Sequence, residues 1–215
     1  MYRLYWAPGT AAMAPHAMLE EIGAAYELVP LDLAVQEHQQ APYKKLNPTG
    51  WIPTLIDGDF VIYETVAICL YLCDKHPAAA LAPPAGSSAR GRFYQWLTYM
   101  TNTVQVGFID WYHPDRMFAD TASQAALKSA AQAWLEKSFG VLDAGLGAGR
   151  HLAGDQFTAA DIYITMLTRW SRNLPKPMWH WPNIKRLAAA TKARPAFQRM
   201  MQKQGIAWPD NGPKD

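Results

Sequence analysis

The sequence is poor in cysteine. Of its 215 residues only Cys69 and Cys73 carry a thiol, four apart in a segment that reads as helix. They share one helix face but not the spacing of a redox pair, so they read as two small buried thiols. Nothing else suggests a disulfide scaffold, and the expected compartment is a reducing cytosol. Charge of one sign is lacking too. Twenty Lys and Arg stand against 18 Asp and Glu, a formal net charge of +2, and no basic run stands out. Neither a nucleic-acid groove nor a membrane-surface patch is implied. No apolar stretch approaches the ~20 residues of a membrane span. The start, Met1-Tyr2-Arg3-Leu4, shows no basic segment followed by a long apolar run, so the expected localisation is cytoplasmic.

Half of the residues are hydrophobic, ample for a buried core in one large domain or two small ones. Tyr2 to Trp6 reads as a strand broken by Pro8-Gly9, and a helix follows with Met13, Ala17 and Ile22 on one face until Gly23 stops it. Tyr26 to Leu31 is a second strand; Pro30 cannot donate to a ladder, which sends this strand to a sheet edge. Asp32 to Leu46 reads as loop with a short helix. Thr54-Leu55-Ile56, Asp57-Gly58-Asp59 and Phe60-Val61-Ile62 form a hairpin, and Glu64 to Lys75 a helix closed by Pro77. A strand–helix–strand crossover is parallel almost without exception. The order βαβ then ββα therefore predicts an α/β domain with a four-stranded mixed sheet, thioredoxin-like, over residues 1–78. Pro77 to Ala89 is rich in Ala, Pro, Gly and Ser and reads as a linker. Everything after it is helical: Arg90 to about Trp111, Thr121 to about Leu146, Asp161 to Trp170, Asn183 to Thr191 and Pro195 to Gln204. These predict an all-α domain over 89–206, with a polar tail from Trp208 that is loosely held.

The most informative stretch is Asn47-Pro48-Thr49-Gly50-Trp51-Ile52-Pro53-Thr54-Leu55. Pro53 stands at the entry to the third strand. A cis bond there would turn the chain sharply and leave the Ile52 backbone free to pair with an extended peptide; an ordinary trans proline starting a strand is the alternative. Glu64-Thr65 opens the next helix. An acid and a hydroxyl there can cap it, or they can hold the ammonium and carboxylate of a γ-glutamyl group.

The order of these segments, with Val66-Ala67-Ile68 and Tyr71-Leu72 after Glu64-Thr65, resembles the glutathione transferase family over nearly the whole chain. Leu81-Ala82-Pro83-Pro84 resembles bacterial members, as does Phe157-Thr158-Ala159-Ala160-Asp161, a capping box in which Thr158 caps the helix and Asp161 returns the bond. The resemblance implies a glutathione-dependent enzyme with glutathione as co-substrate and no metal or bound cofactor. It implies that Pro53 is cis, that Ile52 pairs through its backbone with the cysteinyl part of glutathione, and that Glu64 and Thr65 hold the γ-glutamyl end. His38 resembles a position that meets the glycyl carboxylate in some classes. The family's usual Ser is Thr65 here, which keeps the hydroxyl.

Members activate the thiol with a Tyr, Ser or Cys near the first strand and helix, because a donor that stabilises the thiolate lowers the thiol pKa. Tyr5-Trp6-Ala7-Pro8-Gly9-Thr10-Ala11-Ala12, continuing to Ala14-Pro15-His16, resembles the bacterial beta-class pattern. Ala11 stands where that class has its Cys, and Gln105 where it carries a His. In the delta- and theta-like pattern a Ser follows Pro-Gly directly, and Thr10 matches it. Thr10 is the first candidate donor, also readable as an N-cap, and Tyr5 the second, expected to be buried. Tyr99, Phe108, Trp111 and Tyr112 are candidates for an apolar wall facing a small hydrophobic electrophile. Resembling proteins form homodimers. A glutathione- or hydrophobic-ligand-binding protein with little turnover is the alternative function.

Overall fold

The computed structural model describes residues 1–209; of the tail expected to be loosely held, residues 210–215 lie outside the described residues. The chain divides into two compact units. The first comprises Met1–Ala82 together with Lys192–Ala207, and the second is built on Pro83–Thr191.

The first unit holds β1 (Tyr2–Trp6), α1 (Met13–Ile22), β2 (Tyr26–Pro30), the four-residue α2 (Ala41–Lys44), β3 (Thr54–Asp57), β4 (Phe60–Tyr63) and α3 (Thr65–Lys75). The sheet order is β2-β1-β3-β4, with β1 and β2 parallel and the other pairs antiparallel. This is the expected βαβ-ββα sheet, with the Pro30 strand at its edge. Leu4 and Leu55 point into a core with Met13, Met18, Leu19, Ile68 and Leu72, all fully buried. Cys69 and Cys73 are buried and unoxidised, and burial, then the neighbouring Cys73, pushes the Cys69 thiol well up. They are inert packing groups.

The second unit comprises α4 (Ser88–Tyr99), a π-helical stretch over Met100–Gln105, α5 (Val106–Tyr112), α6 (Thr121–Leu146), α7 (Ala159–Trp170) and α8 (Pro182–Lys192). The helix expected from Arg90 to Trp111 is thus continuous but bulged at its middle, a feature that hydrophobic spacing does not encode. The central helix α7 is buried from Ala159 to Arg169. Its N-terminus carries the expected capping box: the Thr158 hydroxyl accepts from the Ala160 N–H, and the Asp161 carboxylate accepts from the Thr158 N–H at 2.7 Å. Asp161 is fully buried and also accepts from Leu152 N–H at 3.0 Å, so its charge is met by donors.

The boundaries differ from the expected 1–78 and 89–206 at the C-terminal end. Helix α9 (Pro195–Lys203) belongs to the first unit, where it packs on α1. Its buried Ala196, Phe197 and Met200 supply the apolar face, and ion pairs to α1 reinforce it. Arg194 binds Glu21 through Nε at 2.6 Å and Nη2 at 2.8 Å, while Arg199 and Lys203 reach Glu20 at 2.6 and 2.7 Å. Helical periodicity registers an apolar stripe but not which partner completes it.

Two glycines on helices of the second unit give opposite expectations. A Cβ at Gly145 of α6 would lie 2.3 Å from the buried Trp96 ring, whereas one at Gly91 of α4 meets nothing within 4 Å. Gly145→Ala should cost about 1–3 kcal/mol through overpacking. Gly91→Ala should stabilise by about 0.5–1 kcal/mol through helix propensity. Chemical denaturation of the two variants checks both signs.

Candidate functional site

Strand register brings the candidate segments to one end of the sheet. Tyr5 pairs with Thr54, and Thr54 with Tyr63; Trp6 pairs with Pro30 of β2. The Ala7–Thr10 turn follows β1, Ile52–Pro53 precedes β3, Glu64–Thr65 follows β4, and the loop bearing His38 follows β2. All four connections therefore open at the same sheet end.

The Ile52–Pro53 bond is cis. The Ile52 N–H and carbonyl make no hydrogen bond among the described residues, as the peptide-pairing reading requires. The loop before it is built by residues that spacing alone did not single out. Tyr43 of α2, 3% exposed, donates its hydroxyl hydrogen to the Trp51 carbonyl at 2.6 Å and also bonds the Thr54 hydroxyl at 2.7 Å. Buried Asn47 donates to the same carbonyl at 2.7 Å, and its oxygen accepts from the Thr49 N–H and hydroxyl. Gly50 has φ +68°, and a Cβ there would lie 2.8 Å from the Gln39 amide, which donates to the Gly50 carbonyl. The only trace of this clamp in the sequence is Asn47-Pro48 and a Tyr in an otherwise polar loop.

Glu64 adopts φ +69°, ψ +113°, a conformation that costs a non-glycine residue on the order of 1–3 kcal/mol. Its side chain is exposed and caps nothing, so the capping reading fails for Glu64. Thr65 is buried at the first turn of α3, and its hydroxyl makes no hydrogen bond among the described residues. His38 is half-buried, and its Nδ1 has no hydrogen-bond partner among the described residues; burial, then Lys44, lowers its pKa.

The Thr10 hydroxyl donates to the Ala7 carbonyl at 2.8 Å and accepts from the Ala12 N–H at 3.4 Å. It stabilises the turn leading into α1, whose formal cap position, Ala12, has no capping side chain. Tyr5 is half-buried, not buried as expected, because alternation puts it on the face of exposed Arg3. Its ring lies 5.7 Å from that of Tyr43, and its hydroxyl has no hydrogen-bond partner among the described residues.

The candidates for the electrophile wall divide. Phe108, 1% exposed, is a core residue packed on Phe139 and Trp170, which removes it from any wall. The Tyr112 hydroxyl donates to the Trp170 carbonyl at 2.5 Å, so its polar end is turned inward. Trp111 is half-buried with Lys128 Nζ 4.7 Å from its ring centre. Tyr99 lines an open groove of about 600 Å³ with Tyr94 and Asn102. Gln105, at the end of the π-helical stretch, accepts from the fully buried Tyr163 hydroxyl, which also bonds Thr101 at 2.9 Å.

Behind the Ala7–Thr10 turn, His16 is fully buried. Burial, only partly opposed by Glu20, lowers its pKa to about 4, so it is neutral at pH 7. Burial acts to raise the Glu20 carboxyl, but hydrogen bonds from Lys203, Tyr26 and Arg199 outweigh it and hold the pKa at about 2.

Residues 1–74 match the model for the glutathione S-transferase N-terminal domain, and residues 94–195 that for the C-terminal domain. The chain is 31% identical over 214 residues to glutathione S-transferase 3 of Zea mays, covering 93% of this chain and 91% of that one. It is 30% identical to the crystal structure of a glutathione transferase from Methylococcus capsulatus, at TM-score 0.85 over 96% of this chain and 100% of that one. It is also 30% identical to a sphingomonad glutathione S-transferase solved with glutathione, at TM-score 0.83 over 95% and 100%.

Two expectations come from this geometry. Tyr43→Phe leaves Thr54, fully buried, without its hydroxyl partner and should cost about 1–3 kcal/mol, read by equilibrium denaturation. His16 and Glu20 both have folded pKa values below their ordinary 6.5 and 4.5, so the unfolded chain binds more protons in acid. Stability should be full above pH 6.5, fall between 6.5 and about 4 through His16, and fall further between 4.5 and about 2 through Glu20. Denaturation across that pH range should lose the upper limb in His16→Gln.

Proposed function

The chain belongs to the glutathione S-transferase family and is a glutathione transferase, and from that premise we propose that it activates the glutathione thiol at the Ala7–Thr10 turn for attack on a small hydrophobic electrophile. The observation that carries this reading is the gathering of the unpaired Ile52 backbone, Glu64–Thr65 and the turn at one sheet end. The Ile52 backbone pairs with the cysteinyl residue in the manner of an added strand. The Glu64 carboxylate takes the γ-glutamyl ammonium; the Thr65 hydroxyl and the first N–H groups of α3 take its carboxylate. His38 meets the glycyl carboxylate, which raises the pKa that burial and Lys44 depress.

Thr10 is the thiolate donor in this reading. Its hydroxyl hydrogen turns from the Ala7 carbonyl to the sulfur, because a charge-assisted bond outcompetes a neutral one. The thiol proton leaves to solvent, and the thiolate forms the carbon–sulfur bond as the leaving group departs with its electron pair. A specific observation favours Tyr5 as the alternative donor: among the described residues its hydroxyl is unengaged while that of Thr10 is bonded. We place the chain with the bacterial beta- and theta-like members, with Ala11 in place of the beta-class cysteine, as a cytoplasmic homodimer. Sedimentation at micromolar concentration should give twice the 24.0 kDa chain mass; a monomer throughout would refute the assembly.

One hydrogen bond to a charged group is worth about 1.5–3 kcal/mol, or about one to two decades. Thr10→Val should therefore lower turnover at neutral pH about 10- to 100-fold with glutathione affinity nearly intact, and Thr10→Ser should retain activity. If Tyr5→Phe alone gives that loss, Tyr5 is the donor. If neither variant loses turnover, neither the Thr10 nor the Tyr5 hydroxyl activates the thiol. Glu64 offers a paired expectation. Both Glu64→Ala and Glu64→Gly should weaken glutathione in titration calorimetry, while Glu64→Gly alone should stabilise the protein by about 1 kcal/mol, because glycine accepts positive φ. Unchanged affinity in both places the γ-glutamyl group elsewhere.

A further inference from the structure

A chain of hydrogen bonds, buried at its His16–Gln204 link, runs from Glu20 to the backbone of the Ala7–Thr10 turn. The Glu20 carboxylate is bonded to the Tyr26 hydroxyl of β2, which lies 3.0 Å from His16 Nε2. His16 Nδ1 lies 3.1 Å from the Gln204 side-chain nitrogen, and the Gln204 oxygen accepts the Gly9 N–H at 3.3 Å. His16 is 0% and Gln204 2% exposed, so water does not replace the bond between them. Gly9 itself has φ +70° and opens the turn.

The direction of every bond in this chain follows from one charge. A carboxylate only accepts, so the Tyr26 hydroxyl must donate to Glu20. The Tyr26 oxygen then accepts, both from Lys203 Nζ at 2.8 Å and from His16 Nε2–H. With its single hydrogen on Nε2, neutral His16 offers Nδ1 as an acceptor, and Gln204 must direct its NH2 there. Its carbonyl oxygen is left facing the Gly9 N–H. The opposite histidine tautomer would take the Tyr26 hydrogen away from the carboxylate and turn the Gln204 NH2 toward another donor. Arg199, bonded to the second Glu20 oxygen at 2.6 Å, and Lys203 hold the carboxylate in place from α9.

We propose that His16 and Gln204 are positioning residues for thiol activation: through a hydrogen-bond relay polarised by Glu20, the segment after α9 holds the Gly9–Thr10 backbone where its donor meets the sulfur. The effect on the thiol rests on the function proposed above; the relay itself does not. Neither residue touches glutathione in this account. The relay gives the C-terminal end of the first unit, from α9 to Gln204, a part in the chemistry of a turn some 195 residues earlier.

The test compares Gln204→Met, Tyr26→Phe and Lys203→Met with the parent. Gln204→Met removes the last link. Tyr26→Phe deletes one hydroxyl, remote from the turn, and frees the His16 tautomer. Lys203→Met weakens the ion pairs but leaves the polarity intact. Nitrogen NMR of the parent should show His16 as the Nε2–H tautomer. Amide exchange at Gly9, measured against the β1 amides, should accelerate about tenfold in the first two variants and stay near the parent's in the third. The acid limb of the kcat/KM profile for glutathione should move up by about one pH unit in the same two variants only. Gly9 exchange that is unchanged in both, or an Nδ1–H tautomer in the parent, overturns the relay whatever glutathione does. Accelerated exchange with an unmoved acid limb overturns the positioning role, provided the parent's bound thiol is acidified. If the parent's bound thiol titrates as free glutathione does, the proposed function fails and takes the positioning role with it, while Gly9 exchange still decides the relay.

Discussion

The pairing of Thr54 with Tyr5 on one side and Tyr63 on the other is the constraint on which the site depends. A shift of one residue in either ladder would turn the alternate faces over. It would move Leu4 and Leu55 out of the core and carry Ile52 and Glu64 away from the Ala7–Thr10 turn. The register is fixed by that apolar burial and pinned at its open end by Tyr43, whose hydroxyl ties Thr54 to the Trp51 carbonyl. One phenol therefore joins the start of β3 to the loop that presents Ile52. With Asn47 on the same carbonyl, that loop is ordered by the protein itself, which lowers the conformational-entropy cost of binding in the proposed complex.

The polar groups at this sheet end form two sets. One set is satisfied within the protein and gives shape: Tyr43, Asn47, Gln39 and the relay behind Gly9. The other makes no hydrogen bond among the described residues: the Ile52 backbone, the Thr65 hydroxyl, the Glu64 carboxylate and the Tyr5 hydroxyl. Buried polar groups are hydrogen-bonded as a rule, so the Thr65 hydroxyl, beside a residue held at positive φ, fits the binding site proposed for a zwitterionic peptide. Thr10 stands between the two sets. In the free protein its hydroxyl supports the turn, and in the proposed complex it changes partner.

Much of this was legible in the residues, for identifiable reasons. The hairpin and the edge position of β2 follow from Asp57-Gly58 and Pro30, whose backbone demands are local. The capping box at Thr158–Asp161 is likewise a four-residue matter. What periodicity did not carry was long-range: the return of α9 to α1 through Glu20 and Glu21, the tie between Gln204 and Gly9, and the clamp at Tyr43. Each joins segments far apart in the chain, where spacing holds no information. The aromatic residues of the second unit illustrate the same limit. Phe108 and Trp111 lie three apart on one helix, yet one is interior and the other half-buried under a lysine, a difference set by the neighbouring helices.

Thiol activation is decided by the state of the sulfur. The most direct measurement is thiolate absorbance of the unmodified protein's glutathione complex as a function of pH, against glutathione alone. A donor at the Ala7–Thr10 turn predicts that the bound thiol ionises one to two units below the free one, by about the free energy of one charge-assisted hydrogen bond. Coincident titration curves for bound and free glutathione would contradict it.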